Sequence, residues 1–350
     1  MRLFTNKFIT LFFCLISSVG IVIILFSFSK RLNHRNNNFT RLFPPHFLSN
    51  AKQIDLKYNS YYFAGFTKNN IFLGNVTAAA FILKTNYDLN DSSHYILKVP
   101  KQIRMVTPAI TVYLDSPDII MLEGISSRIL RGNLINLSME DCGYKGLSFN
   151  ESCVISNQSF AFRTYDQKLE VNILGKSTLN PTTIHMFPGI LTRRGDGVFS
   201  LDGQMVKDPS TGNLIYVYFY RNEFIYLDTN LSILLKGKTI DSIQTPQIKI
   251  ARINSESATT FSAPPLLVNK TCCADSNLLF VNSKLKANNE FEESFSGSSV
   301  IDIYTLKNGE YLYSFYVPDD NHVKMRSFKV FNNRLVALYD HTIMTFNIQY

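Results

Sequence analysis

Short runs of β-branched and aromatic residues, bounded by Asn, Asp, Gly and Pro, recur along most of this chain at a spacing of about fifty residues. A repeat of that length matches one small antiparallel sheet, which cannot bury both of its faces alone. Arranged radially, each sheet covers its neighbours, and that arrangement is a β-propeller. Residues 61–100, YYFAGFTKNNIFLGNVTAAAFILKTNYDLNDSSHYILKVP, read as four strands separated by a Lys-Asn-Asn turn, a short loop and an Asn/Asp turn. Residues 197–237 repeat the plan, with turns at Asp202-Gly203 and Thr211-Gly212-Asn213 and the strands NLIYVYFY, FIYLD and LSILLKG. Residues 265–317 do so again, and weaker units cover 103–137 and 148–176.

The last unit, 324–349, holds three strands, and the fourth is expected from 53–58, QIDLKY, at the start of the domain. A ring closed in this way leaves no open edge to template aggregation. The reading is all-β: a propeller of six blades, with five or seven left open. A β-sandwich, the main rival, would not repeat its turns every fifty residues or so. Hydrophobic residues make up 45% of the chain and charged residues 18%, enough apolar material for a large core and no signature of disorder.

Ahead of the repeats, residues 8–29, FITLFFCLISSVGIVIILFSFS, carry no charge. At ~1.5 Å rise per residue this stretch makes roughly 33 Å of helix, enough to cross a bilayer. A cleavable signal has a shorter apolar core and ends in small residues, which this stretch does not. The expected organisation is a tail (1–7), a transmembrane anchor (8–29), an Asn- and Arg-rich stalk (30–51) and the propeller (52–350). Arg2, Lys7, Lys30, Arg31, Arg35 and Arg41 precede the first acidic residue, Asp55, so part of the +8 net charge faces membrane phosphates. A literal count of flanking charge slightly favours a cytoplasmic C-terminus. The usual plan of an exported, anchored β domain places it instead in the periplasm, on a single pass through the inner membrane. No basic cluster in the domain alternates with aromatics, which argues against nucleic acid as a partner.

Four cysteines lie outside the anchor. A Cys142–Cys153 bridge would close a short loop and suit an oxidising compartment, with two unpaired buried thiols as the alternative. Cys272 and Cys273 are adjacent and could bridge each other only with strain.

The stretch 160–241 carries FAFRTYD, LEVNILGK, RRGDGVFSLDG, NLIYVYFYRNEFIYLDTNL and GKTID. With these motifs the chain resembles uncharacterised, N-terminally anchored propeller proteins of Gram-negative bacteria, loosely related to the six-bladed TolB-like and NHL-like propellers. The resemblance implies an envelope location and no reaction, and it carries over no active residues.

Chemistry has few candidates. Asp196 and Asp202, near Arg194, fall where an inner strand would line the propeller channel, so they could face a ligand or hold a divalent cation such as Ca²⁺. The bland reading is turn chemistry, with the glycine of Asp202-Gly203 supplying positive φ in a hairpin. Tyr216, Tyr218 and Tyr220 alternate beside Arg221 and could stack on a sugar or peptide, although packing between blades explains the same pattern. Arg163 lies within an apolar strand and must find a partner, for which a channel carboxylate would serve. No nucleophile elbow, zinc helix, phosphate loop or dinucleotide fingerprint occurs. The expected function is binding of a peptide, glycan or protein partner without a cofactor. The alternative is a metal-assisted hydrolase or lyase acting on a sugar or lactone in the channel.

Overall fold

In the computed structural model, residues 12–24, 37–195, 198–253 and 258–349 are described. The chain divides into two units, Met1–Asn38 and Phe39–Tyr350. In the first, residues 12–24 are helical and carry mostly exposed apolar side chains, and the rest of the 8–29 stretch lies outside the described residues. Among the described residues no helix is long and apolar enough to cross a membrane.

The second unit is a β-propeller. Its strands form four four-stranded sheets, one eight-stranded sheet and one two-stranded hairpin. The eight-stranded sheet is two four-stranded meanders joined at their first strands by a single parallel pairing of Gly65 with Leu114. Six meanders result among the described residues, spanning 61–96, 110–141, 151–187, 203–238, 269–318 and 327–348, numbered 1 to 6 below. The third is longer than its expected 148–176 because a fourth strand, Thr182–Phe187, completes it.

The last meander supplies three strands, and Leu48–Asp55 pairs antiparallel with Thr342–Ile348 as the fourth. Closure by an N-terminal strand was expected from 53–58; the strand used starts five residues earlier and shares 53–55 with that expectation. The preceding segment was expected to be a free stalk through residue 51. It is instead packed on meander 5, with Phe39, Arg41 and Phe47 buried. Phe43 stacks on Tyr316 at 4.6 Å and Phe47 packs on Phe315 at 4.5 Å. Arg41 enters a buried polar pocket, pairing with Asp302 through Nε at 2.7 Å and Nη2 at 3.0 Å and also with Glu290.

Six apolar clusters fill the seams between successive meanders and return to the start, the sixth joining meander 6 to meander 1. This explains why the middle strands of the meanders read as continuous apolar runs rather than alternating ones. In Leu214–Tyr218 every residue is buried. Leu214, Tyr216 and Tyr218 fill the seam with meander 3, whereas Ile215 and Val217 fill the seam with meander 5. The period of two is intact, but both faces are core.

One packing device recurs. Tyr62 stands opposite Gly74, Phe162 opposite Gly175 and Phe224 opposite Gly237 on adjacent strands. A Cβ on each glycine would lie 2.4, 2.5 and 2.1 Å from the facing ring, so each aromatic covers the bare backbone of its partner. Several tight hairpins at one end of the strands use positive φ at two adjacent residues, Ser276-Asn277 and Asn332-Asn333 among them, which is the twist a two-residue hairpin requires.

Candidate functional site

The first strand of every meander faces a central channel of about 810 Å³. The longer inserts, 188–202 and 239–268, connect the end of one meander to the start of the next. They therefore gather at the end of the strands where each inner strand begins, and several of the candidate residues lie there.

Arg163 does find a carboxylate. Its Nη1 lies 3.4 Å from Asp202 Oδ1 and donates to the Tyr216 hydroxyl at 2.7 Å and the Gly203 carbonyl at 3.2 Å. Its Nε donates to Asn150 Oδ1 at 2.9 Å. Asn172 donates to the same Asp202 oxygen at 3.2 Å. Burial pushes the Asp202 carboxyl above the usual carboxylate range, and Arg163 and Asn172 pull it back only in part. Asp202 is thus held by a guanidinium and an amide. Among the described residues no group of three or more His, Cys, Asp or Glu is placed to hold a metal. Asp196 lies outside the described residues.

The Asp202-Gly203 pair is not a hairpin turn. Gly203 begins a strand without positive φ, and a Cβ there would come 2.3 Å from the Val217 carbonyl oxygen and 2.7 Å from the Tyr216 ring. Its glycine is required by close approach rather than by turn geometry. The turn lies further on, where Asp208 accepts from the Ser210 amide at 3.0 Å and Gly212 takes φ +75.

Like the fully buried Tyr216, two more of the proposed aromatic and cationic ligands are core. Tyr218 is 1% exposed and Arg221 fully buried. The Arg221 guanidinium lies 3.5 Å from the Tyr218 ring centroid, pairs with Glu223 at 2.7 Å and donates to the Thr192 carbonyl at 2.8 Å. Neither can stack on a ligand, because the alternation that puts Tyr216 and Tyr218 on one side aims that side into a seam. Arg194 pairs with the other oxygen of Glu223 at 2.5 Å and is partly exposed. All described cysteines are free thiols, Cys142 and Cys153 included. Those two serve different seams, Cys142 packing between meanders 2 and 3 and Cys153 between 3 and 4.

Tyr220 differs from its neighbours. It is half-buried at the insert-bearing end, together with Phe199 and Phe261. Phe199 and Phe261 lie 4.4 Å apart and Tyr220 meets Phe261 edge-on at 6.0 Å. The three rings come from separate segments: the 188–202 insert, the end of an inner meander strand, and the hairpin of Ile250–Ile253 with Ala258–Phe261. The sequence reading missed Phe261 because its hairpin lies outside the repeat, and Phe199 because residues 198–201 form a turn of helix ahead of the first strand rather than part of the 197–237 unit's strands. It also missed Glu151, which lines the channel and accepts from the Met205 amide at 3.1 Å. Burial drives the Glu151 carboxyl up, with the Met205 amide, Arg163 and Lys329 opposing the shift.

No protein-family model matches the chain, and no characterised protein matches it in sequence. Solved structures do. A member of the DUF4221 family from Bacteroides vulgatus aligns with a TM-score of 0.55 at 12% identity, covering 90% of this chain and 99% of its own. That likeness shows the fold alone. Virginiamycin B lyase from Staphylococcus aureus (TM-score 0.47, 12% identity, 86% and 99% of the two chains) and BamB from Moraxella catarrhalis (0.42, 10%, 87% and 98%) are more distant.

Proposed function

We propose that this chain is a six-bladed propeller serving as an interaction module for a protein or peptide. In this reading residues 8–29 hold it to the inner membrane and the domain lies in the periplasm. The six meanders with six filled seams support the blade count. The uncharged 22-residue stretch supports the anchor.

The observation that carries the binding reading is the half-buried cluster of Phe199, Tyr220 and Phe261. Two of its rings come from inserts outside the repeating scaffold, and aromatic residues that keep part of their surface in water are what protein interfaces enrich. The neighbouring Arg163–Asp202 pair is already satisfied internally, so it stiffens the rim without leaving an unpaired charge beneath a partner.

The test replaces Tyr220 with a photo-crosslinking phenylalanine analogue in the full chain, in cells. Gln158, on a turn at the opposite end of the strands, serves as the control position. A discrete crosslinked protein at position 220 and none at 158 is expected, and Phe261→Ala should remove it. Equal crosslinking at both positions, or none at 220, would refute the reading.

A further inference from the structure

Lys329 is the middle residue of the inner strand Ser327–Phe331 and lines the central channel. Its ammonium has no hydrogen bond or ion pair to any described residue. Two lysines nearby do have such partners. Lys207, also on the channel, reaches Asp115 at 3.6 Å, and Lys324 reaches Asp319 at 3.2 Å. The charge of Lys329 is felt by Glu151 on meander 3 and by Cys272 and Cys273 on meander 5.

A second donor faces the same space. Gln204 spends its side-chain oxygen on protein, accepting from the Cys272 amide at 2.8 Å and the Thr271 hydroxyl at 3.1 Å. Its amide N–H₂ makes no bond to a described residue. Both unsatisfied groups are donors, so their complement is an acceptor. A carboxylate fits that requirement, since it accepts through both oxygens and brings the one negative charge that Lys329 lacks. A phosphate dianion would bring one charge more than Lys329 neutralises, since Lys207, the other ammonium of the lining, is already paired with Asp115 and the lining also carries Asp118 and Glu151. Phe63, Leu114, Val154 and Met205 supply apolar wall to the same channel.

We propose that the channel binds a small monocarboxylate with an apolar remainder, with Lys329 as counter-ion and the Gln204 amide as second donor. The site is separate from the aromatic face and does not depend on it.

The test is calorimetric titration of the full chain in detergent with hexanoate, against hexanamide and inorganic phosphate at matched ionic strength. Saturable hexanoate binding is expected, at least tenfold tighter than either control. Lys329→Met should weaken it tenfold or more, and Gln204→Leu, which keeps the charge, by a smaller factor. Should Lys329→Met lose its β circular dichroism, Gln204→Leu and Lys329→Gln carry the test. Absent saturation, equal binding of hexanamide or phosphate, or unchanged affinity in the variants would each overturn the proposal. Crosslinking from position 220 in a wild-type chain that shows no saturable hexanoate binding would remove the channel site and leave the interaction reading standing.

Discussion

Replacing Arg41 with Met tests how the segment before the first strand is held. The guanidinium pairs with both oxygens of Asp302, at 2.7 and 3.0 Å, contacts Glu290, and donates to the Leu285 carbonyl at 2.9 Å. Asp302 is 2% exposed and Glu290 7%, so removing the cation leaves two carboxylates without their counter-charge in the interior. Breaking a buried pair from one side costs about 3–5 kcal/mol, a large share of the ~5–15 kcal/mol that stabilises a typical domain. For a domain this large about 2 °C accompanies each kcal/mol, giving a fall in Tm of roughly 6–10 °C. The chain has no tryptophan, so the melt is best followed by circular dichroism of the full chain in detergent. Lys52→Ala, which opens the exposed 2.6 Å pair with Asp88, is the matched control and should not shift the melt. Adding Glu290→Gln and Asp302→Asn to Arg41→Met should restore most of the loss. A single variant that melts with the control, or a triple variant no better than the single one, would refute the argument that uncompensated charge sets the cost.

Gly175→Ala should destabilise by about 1–3 kcal/mol, because its Cβ would sit 2.5 Å from the fully buried Phe162 ring; equilibrium urea unfolding measures it. Ile343→Pro, in a strand flanked on both sides, should cost about 3 kcal/mol or more through a lost ladder bond, and limited proteolysis should then cut within 39–55. Glu151 carries a folded-state pKa above its ordinary 4.5, so the native form holds this proton more tightly than the unfolded chain. Its contribution to stability is present at low pH and is lost as pH rises from 4.5 through the folded value. Glu151→Gln should therefore gain on the wild type as pH rises from 4.5 to neutral, and parallel stability curves would contradict this.

The repeats were legible because each meander is local in sequence: hairpin turns rich in Asn, Asp and Gly punctuate apolar runs short enough to be strands. Closure by an N-terminal strand was legible from a deficit, since 324–349 holds material for three strands. What failed is the direction of side chains once both sheet faces are buried. Tyr216, Tyr218 and Tyr220 look equivalent as a pattern, yet the first two fall within a strand whose faces are both seams, and the third lies just past its end. Cys142 and Cys153 are near in sequence, but the sheet between them turns one toward each neighbour. Arg41 was counted with the basic stalk because its two carboxylates are some 250 positions away, beyond any local pattern. Lys329 carried the same signal as Arg163, a charge inside an apolar strand, and could have been singled out on that ground.

The pairing of Leu48–Asp55 with Thr342–Ile348 has a consequence for biogenesis. Contacts between the two ends of a chain are the last that synthesis or translocation makes available, and their loop-closure entropy is near the largest a single domain can face. Until residue 342 emerges, Leu48–Asp55 waits as a lone strand and the growing ring keeps an unpaired rim. A truncation that removes Thr342–Ile348 should therefore behave as a sticky, protease-sensitive chain rather than as a slightly shortened domain.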